Sequence, residues 1–143
     1  MATEKTAHAV WEGDLMDGSG HVSTESGSVD ETMTWAARAQ DVEGASPEEL
    51  IAAAHATCVA MALAGALARA GTPPTRLETD ATTAFEQVSD GFAFTTVRLR
   101  IRGDVEGLDE DGFRRAAEEA KENCPVSKAL AGNVQIELDA ALA

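Results

Sequence analysis

Ser46-Pro-Glu-Glu-Leu-Ile-Ala-Ala-Ala-His-Ala-Thr-Cys-Val-Ala-Met-Ala-Leu63 is the most helical stretch of this chain, and the rest of the fold is read outward from it. Ser46 is a good N-cap, Pro47 suits the first helical position, and Glu48 and Glu49 complement the helix dipole. Glu49 falls three residues after Ser46, the spacing of a capping box. The helix is predicted to run to about Ala70, where Gly71 can cap it and Pro73-Pro74 forbid continuation. Its larger apolar side chains are few: Leu50, Ile51, Val59, Met61, Leu63 and Leu67. Alanines fill the rest, so the helix is thin and can approach its neighbours closely. It is expected to be central and buried.

On the N-terminal side the chain reads as strands and turns. His8 to Trp11 alternates, Gly18-Ser19-Gly20 is a turn signal, and His21 to Ser26 is the returning strand before a turn at Gly27-Ser28. Met33 to Arg38 is predicted as a third strand, completing a meander. On the C-terminal side, strands over about 76–88 and 92–102 flank Ser89-Asp90-Gly91, a strong hairpin signal. Val97, Leu99 and Ile101 share one face of the second strand, and Arg98, Arg100 and Arg102 share the other. Asp109 is predicted to cap a helix over 110–122, and Pro125 to open a short helix ending near Leu130. Val134 to Leu138 alternates as a last strand. The order βββ-α-ββ-αα-β is an α+β pattern, not a βαβ one.

The chain has 143 residues, which the size prior reads as one domain over 1–143. With 11 basic against 25 acidic residues the formal charge is −14. That balance argues against nucleic acid or an anionic membrane as partner, because both require a basic patch. The acidity suits a solvated surface and is also compatible with a high-salt environment. His55, Thr57 and Arg69 interrupt the alanine-rich run, whose small residues carry little transfer energy, so no membrane span is expected. The opening Met-Ala-Thr-Glu-Lys-Thr-Ala-His lacks an apolar signal core, and a cytoplasmic protein is expected.

In a reducing compartment the two cysteines, Cys58 and Cys124, point to redox chemistry or a metal rather than to a lasting staple. Cys58 lies mid-helix, where a cysteine is commonly an inert buried hydrophobe whose thiol burial makes less acidic. For it to react, a cation must reach it. Cys124, in Glu-Asn-Cys-Pro-Val-Ser-Lys, stands at the N-cap of a helix whose first residue is Pro125. There the dipole and free backbone N–H groups favour thiolate. Local chemistry alone thus favours Cys124 as nucleophile. A metal site is a further alternative: His55 and Cys58 share one helix face, and Cys124 with an acidic residue would complete four ligands. His8 and His21 read as surface residues on strands, and His55 as a core or interface histidine.

Three segments together carry a resemblance. The leader from Ser46 to Cys58, the later Asn-Cys-Pro-Val-Ser, and the opening Ala9-Val-Trp-Glu-Gly-Asp with Val22-Ser-Thr-Glu-Ser-Gly resemble the OsmC/Ohr family of thiol peroxidases over nearly the whole chain. The His-Ala-x-Cys helix and the Trp-Glu-Gly start bring it nearer the OsmC branch. The resemblance implies an OsmC-like α+β fold, with antiparallel sheets around a long central helix in an intertwined homodimer whose sites draw on both chains. It implies a cofactor-free enzyme that reduces organic hydroperoxides and hydrogen peroxide in stress defence and is recycled by a dithiol, of which a dihydrolipoyl protein is one kind. Residue by residue, Cys58 matches the peroxidatic cysteine and Cys124 the resolving one. Arg38 matches the arginine that contacts the reactive sulfur, and Glu48 the acid that holds this arginine. The resemblance therefore reverses the local assignment of the attacking thiol and supplies the cation Cys58 needs. Guanidinium does not deprotonate, so Arg38 would act as a fixed charge aimed by a bidentate bond to Glu48. The Cys58–Cys124 disulfide it implies needs Cα atoms about 4.4–6.8 Å apart. Val59 departs from the bulky aromatic often found after the family's cysteine, which leaves pocket shape open. The alternative is a non-enzymatic redox-sensing or ligand-binding module on the same fold.

Overall fold

The computed structural model describes residues 1–143, which form two compact units, Met1–Leu50 and Ile51–Ala143. The first is an antiparallel meander of β1 (Ala7–Glu12), β2 (Ser19–Thr24) and β3 (Asp30–Met33) followed by a short helix, α1 (Trp35–Ala39). Trp11 on β1 pairs with Gly20 on β2, and the glycine leaves room for the indole: a Cβ there would stand 2.6 Å from Trp11 Cε3. The first turn lies earlier than Gly18-Ser19-Gly20. Asp14 accepts the Asp17 N–H at 2.7 Å, and Ser19 and Gly20 already belong to β2.

The predicted third strand over Met33–Arg38 is corrected. β3 ends at Met33, and Thr34 then caps α1, its hydroxyl accepting the Ala37 N–H at 3.1 Å. Thr34 is a competent N-cap and Ala-Ala-Arg-Ala a strong helix former, and these local preferences outweigh the apolar alternation of Met33 and Trp35.

α2 (Pro47–Arg69) begins where the sequence places it, with Ser46 Oγ accepting the Glu49 N–H at 3.1 Å. It ends in a Schellman arrangement. The Thr72 N–H donates to Leu67 O at 2.9 Å, and the Gly71 N–H donates to Ala68 O at 3.1 Å with Gly71 at φ 89°. The expectation of a wholly buried helix does not hold. Only His55, Val59, Leu63 and Leu67, four apart on one stripe, are buried in the second unit, and Met61 is 69% exposed. With a mean hydropathy of 1.9, α2 is long and apolar enough, by length and composition alone, to cross a bilayer. Alanine raises the mean here, and the buried stripe is part of a protein core.

That core is built on β4 (Arg76–Val88), β5 (Gly91–Asp104) and β6 (Gln135–Leu142), in the order β4-β5-β6. β4 and β5 form the expected antiparallel hairpin. β6 joins β5 in parallel, the one ladder that departs from the antiparallel expectation. The connection runs through α3 (Glu110–Asn123) and α4 (Pro125–Leu130), a crossover of the length a parallel pair requires. Asp109 caps α3 by accepting the Gly112 N–H at 2.7 Å. Val97, Leu99 and Ile101 of β5 pack with Val59, Leu63 and Leu67 of α2, with Phe113, Ala117 and Ala120 of α3, and with Cys124. Arg98 and Arg100 are exposed on the opposite face of β5.

Candidate active site

In the first unit, Arg38 closes the last turn of α1 and Glu48 opens the first turn of α2. Arg38 Nε donates to both carboxylate oxygens of Glu48, at 3.2 Å and 3.1 Å, and Nη2 donates to Oε1 at 2.8 Å. Glu48 is buried, while the arginine side chain is 36% exposed. This is the forked geometry that fixes a guanidinium in direction as well as position. The turn that replaces the expected strand is what makes it possible, because it brings Arg38 back over the start of α2. Beside the arginine, Trp11, Leu15, Met33, Trp35 and Leu50 line an apolar cavity of about 420 Å³.

In the second unit, Cys58 of α2 and Cys124 between α3 and α4 are free thiols that act on each other. Cys124 has no exposed surface, whereas Cys58 is only half-buried. Burial pushes the Cys58 thiol up, and its hydrogen bond to Cys124 adds to this, against a smaller opposing effect of the Val126 N–H. For Cys124 burial is also the largest single effect and works upward. The Cys58 hydrogen bond, the Ser127 N–H and hydroxyl and the Val126 N–H together outweigh it, and the thiol is held below its ordinary value. None of these contacts has the geometry of a formal helix cap, so the amides act on the sulfur as oriented dipoles. Their surroundings thus shift the two thiols in opposite directions, making Cys58 less acidic and Cys124 more acidic.

His55, one turn before Cys58, is fully buried, with Nε2 2.7 Å from Ser127 Oγ. Desolvation lowers its pKa, which keeps the ring neutral. The expectation of a core histidine holds. The metal alternative gains nothing from this geometry: Nε2 is taken by Ser127, and no group of three or more His, Cys, Asp or Glu side chains is arranged to hold an ion. His8 and His21 are exposed on their strands. The structure therefore brings together Arg38 with Glu48 and Cys58 with Cys124. It adds Ser127, which the sequence reading did not single out although it ends the Asn-Cys-Pro-Val-Ser motif.

Residues 39–139 match the family model described as OsmC-like protein, a span that includes Glu48, Cys58 and Cys124 and begins one residue after Arg38. The chain belongs to the OsmC-like family. It is 39% identical over 138 residues to the peroxiredoxin OsmC of Escherichia coli, covering 96% of both chains. It is 31% identical over 97 residues to the organic hydroperoxide resistance protein of Xanthomonas axonopodis, covering 67% of this chain and 66% of that one. Identity is higher to the OsmC relative, in keeping with the OsmC-like features of the helix and the N-terminal strand. The fold matches the crystal structure of an organic hydroperoxide resistance protein from Elizabethkingia anophelis, with a TM-score of 0.78, 25% identity and full coverage of both chains. It also matches the organic hydroperoxide resistance protein OhrB of Bacillus subtilis, with a TM-score of 0.74, 26% identity and coverage of 94% of this chain and 97% of that one.

Proposed function

We propose that this OsmC-like protein is a thiol peroxidase that reduces organic hydroperoxides, and hydrogen peroxide, through a Cys58–Cys124 redox pair. The observation that carries the reading is a pair of interacting free thiols, Cys58 half-buried and Cys124 fully buried. The names of its relatives, peroxiredoxin OsmC and organic hydroperoxide resistance protein, support it.

In this reading the Cys58 thiolate attacks the distal peroxide oxygen. The S–O bond forms, the O–O bond breaks, and the alkoxide leaves and takes up a proton. Cys124 thiolate then attacks the sulfenic sulfur, giving a disulfide that an external dithiol reduces. A dihydrolipoyl protein is the reductant class proposed. Arg38 supplies the positive charge that favours Cys58 thiolate and steadies the leaving alkoxide, and Glu48 aims it. The apolar cavity beside Arg38 suits an alkyl chain. The working form is a cytoplasmic homodimer, consistent with the incompletely buried α2 and with exposed Leu15, Met16 and Met61. No cofactor is required, because sulfur carries both electrons.

The acidity of Cys124 favours a second reading, in which Cys124 attacks first. Accessibility argues against it, since a peroxide can approach half-buried Cys58 but not Cys124, which has no exposed surface. The test is steady-state hydroperoxide consumption with dihydrolipoamide. Activity should vanish in Cys58→Ser, whereas Cys124→Ser should still form one sulfenic acid per chain. Full activity in Cys58→Ser would overturn the mechanism, and a disulfide that forms without turnover would mark a non-enzymatic redox module.

A further inference from the structure

His55 is the one buried histidine of the chain, and the peroxidase reading gives it no role. Its ring makes a single hydrogen bond, from Nε2 to Ser127 Oγ at 2.7 Å, and its Nδ1 is buried without a partner. That orphaned nitrogen assigns the tautomer. A neutral imidazole carries one N–H and one bare lone pair, and a buried donor left without an acceptor is rarer than an unsatisfied acceptor. The proton therefore sits on Nε2, and the ring donates to Ser127. With its oxygen accepting from the ring, the Ser127 hydroxyl keeps its own hydrogen for another acceptor. The Cys124 sulfur, three residues back in the chain, is the group on which that hydroxyl acts.

We propose that His55 and Ser127 form a buried donor chain, ring N–H to hydroxyl to sulfur, that holds Cys124 as a thiolate for the resolving step. His55 is then a positioning residue acting through Ser127. The inference rests on the reading of Cys124 as resolving thiol. In that step Cys124 thiolate gives an electron pair to the sulfur of Cys58 sulfenic acid. The S–S bond forms, the S–O bond breaks, and hydroxide leaves and takes a proton from solvent. Cys124 is oxidised as the sulfenic sulfur is reduced, so the electrons balance within the pair. A thiol with no exposed surface would otherwise keep its proton and attack slowly. Cys58 is the only ionisable group acting directly on the Cys124 sulfur, and the Ser127 hydroxyl at the end of the donor chain acts there beside the Ser127 and Val126 N–H groups.

The experiment titrates Cys124 by thiolate absorbance in a Cys58→Ser background, which requires no peroxide and no turnover. Ser127→Ala and His55→Leu are each expected to raise the Cys124 pKa by about one to two units, the effect of losing a hydrogen bond to a charged group. His55→Gln, whose amide N–H reaches the position of Nε2, restores most of the shift. His55→Asn, whose amide reaches only the position of Nδ1, does not. With Cys58 present, the same variants slow disulfide formation from the sulfenate about tenfold, following the lost thiolate fraction. An unmoved Cys124 titration in folded Ser127→Ala would overturn the proposal, as would equal behaviour of His55→Gln and His55→Asn. Neither result depends on whether Cys58 meets peroxide first.

Discussion

At Cys58 and Cys124, accessibility and acidity are divided between two sulfurs: the half-buried one is made less acidic and the fully buried one more acidic. Cys58 therefore needs the external cation that Arg38, clamped by Glu48, is proposed to supply. Arg38→Ala is expected to slow sulfenate formation about a hundredfold, the scale of removing one donor from a developing oxyanion. Arg38→Lys should recover only part of this, because a point charge cannot fork onto Glu48. Stopped-flow oxidation of Cys58 in a Cys124→Ser background measures both, and equal rates for all three proteins would remove Arg38 from the mechanism. His55 adds a pH dependence to stability. Its folded pKa is depressed by burial, so above about pH 6.5 the ring is neutral in both states and its term is fully present. As pH falls, the unfolded chain binds a proton that the folded chain refuses, and stability is lost. His55→Gln should flatten the fall in Tm as pH drops below about 6.5, and parallel slopes would contradict the assignment. At this scale the sequence was legible for the thiols, which are rare and sit in distinct contexts. It was not legible for Ser127, since a serine that meets a histidine 72 positions away looks like any other until the chain folds.

Among the elements, those announced by chemistry at their ends were read correctly. Ser46 and Pro47 start α2, Asp109 caps α3, Pro125 opens α4, and Asp90-Gly91 turns the β4–β5 hairpin. The turn from β3 into α1 was hidden, because Met33 and Trp35 mimic strand alternation and only the Thr34 cap distinguishes the helix. The pairing of Arg38 with Glu48 follows from that turn and was available to sequence only through family resemblance. One close approach is decisive for the second unit. Gly103 of β5 lies under the Phe113 ring of α3, and a Cβ at Gly103 would stand 2.4 Å from Phe113 Cε2. Both residues are buried. Gly103→Ala is expected to cost about 1–3 kcal/mol through overpacking, measured by urea unfolding. A Gly103→Ala variant as stable as the parent would mean that α3 shifts without loss.

For the molecule as a whole, the alanine-rich helix was legible as a helix, but its environment was not. Hydropathy records which residues can be buried, not whether this chain or a second copy buries them. Leu15, Met16 and Met61 are more than half exposed in the single chain, and burying what remains exposed of each in a dimer would contribute about 1–2 kcal/mol. Sedimentation should therefore find a dimer, and Met61→Glu should shift it toward monomer. A monomeric parent protein at working concentrations would refute the homodimer. The chain's −14 charge suits solubility and leaves association to such apolar patches.

The central claim is that Cys58 takes the peroxide oxygen and Cys124 resolves it. Mass spectrometry of the cysteines after one equivalent of an organic hydroperoxide tests it most directly. The parent protein should carry a single Cys58–Cys124 disulfide, and Cys124→Ser should carry one oxygen on Cys58. Oxygen on Cys124 in Cys58→Ser, formed at the parent rate, would contradict the account.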